Sequence, residues 1–96
     1  MKKQTFECDG RYEAEKLAAL VSVQKDGAAY FDGITAIVGN EVVIKLRDKS
    51  SHAVVMKDRE NVEKLKALLE AVRAGKAKII ESSFSGPVAE ITFSSF

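Results

Sequence analysis

Residues 58–75, DRENVEKLKALLEAVRAG, admit one local structure. Val62, Leu65, Leu68, Leu69 and Val72 recur at steps of three and four, which sets five aliphatic side chains along one stripe of an α-helix. Asp58 stands at the N-cap position, where a carboxylate accepts from the free N–H groups of the first turn. Gly75 stands where the chain leaves through positive φ. The other face, with Glu60, Glu63, Lys64, Lys66, Glu70 and Arg73, neutralises itself and belongs in water. Burying five aliphatic side chains contributes at most roughly 8 to 15 kcal/mol, less than the cost of ordering the segment alone at about 1.5 kcal/mol per residue. The helix therefore needs a sheet to lie on, and the rest of the chain has to supply one.

The flanking segments carry that signal. Lys3–Cys8 reads as a strand with Phe6 and Cys8 on one face. Asp9 then offers an N-cap to a helix over 11–25, in which Ala14, Leu17, Ala18 and Val21 share a face, although Leu20–Gln24 also alternates as a strand does. From Ala28 to Lys57 the runs AAYF, ITAIV, VVIKL and HAVVM are separated by Asp32-Gly33, by Gly39-Asn40 and by Asp48–Ser51, each a turn signal. Ile34–Val38 has few polar residues and reads as a central strand covered on both faces, while Val42, Ile44 and Leu46 look inward from the next. Lys76–Phe84 and Val88–Phe93 form a hairpin around Ser85-Gly86-Pro87. The expected fold is α+β: a single domain over 1–96, a two-layer sandwich with a mostly antiparallel sheet of about five to six strands and two helices, 11–25 and 59–74, on one face.

Chemistry is harder to place. Asp48, Ser51 and His52 are the residue types of a hydrolytic triad, but neighbours on a strand point to opposite faces, so Ser51 and His52 cannot share a proton. With one histidine and one cysteine the chain shows no ligand spacing for a metal, and its glycines lie singly, without a phosphate cradle. No cofactor and no catalytic residue is assigned. The formal net charge of +1 excludes a global field for nucleic acid or an anionic membrane, and no apolar run reaches the ~18 residues of a membrane span. A lone cysteine, Cys8, suits a reducing compartment, so the expected location is cytoplasmic.

Two surfaces stand out. The C-terminal strand, ending ITFSSF, carries no lysine, arginine or proline and reads as an undefended edge, with Ile91, Phe93 and Phe96 as partner-binding residues. The cations Lys45, Arg47, Lys49, Lys57 and Arg59 face only Asp48 and Asp58 and offer a contact for anions or nucleic acid. The leading expectation is a non-catalytic protein-interaction or assembly module that pairs with a protein partner or with itself. The alternatives are a nucleic-acid accessory protein, and a small enzyme or ligand-binding subunit whose site is completed at a dimer interface.

Overall fold

The computed structural model describes residues 1–23 and 31–95, with Phe31 placed by its backbone alone. Six strands and two helices follow in the order β1 (Lys2–Glu7), α1 (Arg11–Ser22), β2 (Phe31–Val38), β3 (Glu41–Leu46), β4 (Ser51–Val55), α2 (Arg59–Arg73), β5 (Ala77–Ser85) and β6 (Val88–Ser95). The strands form two antiparallel three-stranded sheets, β1-β6-β5 and β2-β3-β4, where one sheet was expected. The sheets meet at the ends of β1 and β4 through a bridge between Cys8 and Met56. One face of each sheet and the apolar stripe of each helix share a single core, with Phe6, Leu17, Ile44, Leu65 and Ile91 fully buried within it. α1 lies on β5 and β6, and α2 lies on β2 with further contacts to β5 and β1.

α2 forms as its sequence dictates. The Asp58 carboxylate accepts from the Asn61 N–H at 3.0 Å. At the other end Gly75, at φ 77, lets its own N–H reach the Val72 carbonyl and that of Lys76 reach Ala71, a pair of bonds that closes the last turn. α1 departs from expectation at its start. Its N-cap is Gly10 in extended backbone, without a side-chain cap, and Asp9 instead donates its N–H to the Val55 carbonyl. Leu20–Ser22 are helical; Gln24 and Lys25 lie outside the described residues, as does the expected strand start at Ala28–Tyr30.

Three further expectations are corrected. Asp32-Gly33 is not a hairpin turn but an irregularity inside β2, where the register against β3 slips between Phe31 and Gly33; Gly33 sits at φ 138 with the Arg73 side chain 3.4 Å from where a Cβ would stand. Ile34–Val38 is not central: among the described strands β2 is an edge, and Thr35, Ala36 and Val38 are exposed. The C-terminal strand is not an edge at all. β6 lies between β5 and β1, paired with β1 from Lys2↔Phe93 to Glu7↔Val88, so a strand without lysine, arginine or proline has its backbone satisfied on both sides.

The two halves of the molecule repeat each other. α1 and α2 begin forty-eight positions apart, at Arg11 and Arg59, and Arg11–Leu20 matches Arg59–Leu68 at six of ten positions, with Glu15-Lys16-Leu17 against Glu63-Lys64-Leu65 at the centre. Strand pairing follows the same rule. Val42↔Val54 corresponds to Ala89↔Phe6, Ile44↔His52 to Ile91↔Gln4, and the irregularity at Phe31/Gly33 to that at Ile79/Glu81. Tertiary bonds come in matching pairs: Cys8 N–H to Pro87 and Met56 N–H to Asn40, both 2.8 Å, and Asp9 N–H to Val55 and Lys57 N–H to Glu7, both 3.0 Å. The turn glycines Gly39 and Gly86 share a positive φ, 60 and 56. An extra residue in β2, at the second register slip between Ile34 and Ala36, brings the offset from forty-eight to forty-seven. A pseudo-two-fold axis therefore passes through the Cys8–Met56 bridge and relates β2-β3-β4 to β5-β6-β1.

In this relation the β3–β4 turn, residues 47–50, occupies the place of the break between β6 and β1. A circular permutant that joins the chain ends through a short glycine linker and opens the turn beside Lys49, held at φ 73, is expected to fold with an unchanged far-ultraviolet circular dichroism spectrum and one cooperative unfolding transition. A chain that stays unfolded would contradict the equivalence.

Candidate interaction surface

Alternation in β2, β3 and β4 sorts their side chains to two sides. Val42, Ile44 and Val54 enter the core, so Glu41, Val43, Lys45, Ala53 and Val55 point away from it, joined by Ala36 and Val38. The register lines these up in cross-strand rows: Ala36–Val43–Ala53, then Val38–Glu41–Val55. No described helix packs on this side. Val38 keeps 68% of its surface exposed, and Val43, Ala53 and Val55 are half-buried by their own neighbours.

The other half provides an internal control. At the equivalent positions of β5-β6-β1 stand Ser83 for Ala36, Ser85 for Val38, Glu90 for Val43, Thr5 for Ala53 and Glu7 for Val55. One exchange runs in the opposite sense, Val88 for Glu41. The carboxylates of the polar face are paired, Glu90 with Lys3 at 3.6 Å and Glu7 with Lys57 at 3.4 Å. Two copies of one backbone thus carry opposite outer surfaces, one solvated and one aliphatic. An open apolar face on half of a duplicated sheet has no role in the core, which lies on the other side.

The residues singled out from sequence are distributed differently. Ile91 is fully buried, Phe93 is half-buried against the core, and Phe96 lies outside the described residues. Lys45, Arg47 and Lys49 cluster around the β3–β4 turn, whereas Lys57 and Arg59 stand at the far end of β4, a strand of about 17 Å. Three of the five cations are engaged: Lys45 with Asp32 at 3.9 Å, Lys57 with Glu7 at 3.4 Å, and Arg59 with Glu63 at 3.3 Å while its Nη1 donates to the Gly39 carbonyl.

His52 does meet a serine, but the serine is Ser50, not the exposed Ser51. Ser50 Oγ donates to Asp48 Oδ1, and its backbone N–H donates to the same oxygen. These bonds hold the Asp48 carboxyl below the usual carboxylate range, so it is an acceptor only and takes the hydroxyl proton. His52 Nε2, 2.9 Å from Ser50 Oγ, is then left to donate. A base that donates to the hydroxyl cannot deprotonate it, which is the reverse of a nucleophile–base pair. This group borders a groove of about 480 Å³ along α1, lined by Lys16, Leu20 and Leu46, and the pseudo-two-fold repeats the groove along α2 at the same volume with Lys64, Leu68 and Phe93. Gln4 takes the place of His52 in the second groove, and both are shallow and mainly apolar.

Cys8 is buried against Met56, Sγ to Sδ 4.0 Å, and burial, with a smaller contribution from the Glu13 carboxylate, pushes its thiol up to about 11. It behaves as a small apolar residue on the pseudo-axis. Among the described residues no three His, Cys, Asp or Glu side chains converge as a metal site, and no helix is long and apolar enough to cross a membrane. The chain matches no protein family, no curated protein and no solved structure.

Proposed function

We propose that the protein is a non-catalytic protein-interaction module whose contact surface is the outer face of β2-β3-β4. The observation that supports this reading is the contrast between equivalent faces: Ala36, Val38, Val43, Ala53 and Val55 where the same backbone elsewhere carries Ser83, Ser85, Glu90, Thr5 and Glu7. Core packing does not call for aliphatic side chains there, and burial against a partner does. The exposed edge of β2 continues the face without a charge from Ile34 to Val38 and gives a partner backbone groups to pair with. The proton arrangement at Asp48, Ser50 and His52 argues for a module without hydrolytic chemistry. The division of the cations between two ends of β4, most of them already paired, argues against nucleic acid.

The test uses a photo-crosslinking amino acid at position 36, on the rim of the face, in the wild-type chain and in a variant carrying Val38→Ser and Val43→Glu, the residues of the twin half. Protein adducts are expected from the wild-type background and not from the variant, with melting temperatures within about 3 °C because surface substitutions stay near 0.5 kcal/mol. Equal adducts from both, or none from the wild-type background, would remove the reading.

A further inference from the structure

Resting on that reading of the face, we infer that its occupant is a second copy of this chain, docked sheet to sheet about a two-fold axis that lies between the sheets and crosses β3 at Val43. The argument starts from the outward row of β3. Glu41, Val43 and Lys45 present an acid, an aliphatic group and a base at equal spacing, about 6.6 Å from one to the next. A two-fold axis perpendicular to the strand reverses this row, setting Glu41 against the partner's Lys45, Lys45 against the partner's Glu41, and Val43 against its own copy. A row of this kind is complementary to itself read backwards. An unrelated partner would have to reproduce base, aliphatic and acid in that order.

Shape agrees with charge. Val43 is flanked across both ladders by alanines, Ala36 on β2 and Ala53 on β4, so the row stands as a ridge with a shallow depression on each side. Two such faces meet at the roughly 10 Å separation of packed sheets with Val43 against its own copy, and the small alanines on each side leave no bulky side chain to hold the two ridges apart. Lys45 can trade Asp32 for the partner's Glu41, since its bond to Asp32 is long, 3.9 Å, and both side chains remain substantially exposed. The polar twin face fixes the stoichiometry. With Glu90, Thr5 and Glu7 in the equivalent places, each chain has one such surface, and an isologous contact closes at two copies.

Five small aliphatic side chains fall short of the ~800 Å² per partner of a tight interface, so the dimer is weak, with a dissociation constant of about 10 to 100 μM. Sedimentation velocity of the full chain from about 5 to 500 μM is expected to show monomer passing to dimer, less completely as salt rises and screens the two ion pairs. Glu41→Lys and Lys45→Glu each place like charges together and are expected to raise the dissociation constant at least tenfold. The double exchange Glu41→Lys/Lys45→Glu re-creates both pairs and is expected to return it to within about threefold of wild type. Circular dichroism melts of all three variants check that the fold is kept. A wild-type chain monomeric across the whole range, or a double variant as weak as the single ones, overturns the inference. If that monomeric chain still gives adducts through position 36 that Val38→Ser/Val43→Glu abolishes, the occupant is a different protein: the second-copy inference fails while the face keeps its role.

Discussion

Phe6→Ala is expected to lower stability by about 3 to 5 kcal/mol, a large part of the roughly 5 to 15 kcal/mol that holds a domain of this size together. Phe6 is 0% exposed, faces Ala89 across the β1–β6 ladder, and has the Lys64 ammonium 5.6 Å from its ring centre. Removing the ring opens a cavity beside the pseudo-axis, where both sheets and both helices meet. With a urea dependence of about 1 to 2 kcal/mol per molar, the unfolding midpoint should fall by roughly 2 to 4 M. The twin position supplies the calibration. Val54 is equally buried but loses two methyl groups rather than a ring, so Val54→Ala should cost about half as much. A Phe6→Ala midpoint at or above that of Val54→Ala would show that the ring does not sit where the structure puts it.

The second large effect concerns Asn61, the only buried polar side chain among the described residues, 4% exposed. Its Oδ1 accepts from the Glu7 N–H at 2.9 Å, and its Nδ2 donates to Asp58 Oδ1 at 2.8 Å. It therefore joins the end of β1 to the cap of α2. Asn61→Leu keeps the volume but leaves the part-buried Glu7 N–H without its side-chain partner, at a cost of about 1 to 3 kcal/mol. The matching bond, from the Val55 N–H to Glu13 Oε2, is longer at 3.3 Å and less buried, so Glu13→Leu should cost less. Native-state hydrogen exchange reads the difference locally. The Glu7 amide should lose protection in Asn61→Leu by more than the global destabilisation accounts for, and an unchanged Glu7 rate would discount the bond.

What the sequence made legible was local. The helix at Arg59–Arg73 announces its stripe and both caps, and the β5–β6 hairpin announces its turn, because these features depend on residues a few positions apart. Errors came where a distant strand decides. Asp32-Gly33 has the composition of a tight turn, and only the register of β3 turns it into an irregularity within one strand. ITFSSF has the composition of an edge, and only the pairing of β1 with β6 places it inside. The candidate face was hidden for the same reason. Val43 stands between Val42 and Ile44 in an unbroken apolar run, and nothing in that run says which of the three looks outward. The repeat was within reach, since EKLAAL at 15–20 and EKLKAL at 63–68 differ at one position, yet it is confined to the helices; the strands have diverged until Phe6 answers to Val54 and Glu90 to Val43.

The pairing of β1 with β6 also bears on how the chain is made. Lys2 bonds to a strand that includes Phe93, so a ribosome must synthesise nearly all of this polypeptide before β1 finds its neighbour, while α1 waits for the β5-β6 surface on which it rests. The β2-β3-β4 meander leaves the exit tunnel earlier and its strands pair only with one another, while α2 can rest on β2 at once and takes up β5 and β1 later. Such a mixture of local and end-to-end contacts places folding between the fast helical bundles and the slow all-β domains. During translation Phe6 and Leu17, both fully buried in the finished fold, stay exposed beside an unpaired β1 until β6 has been made.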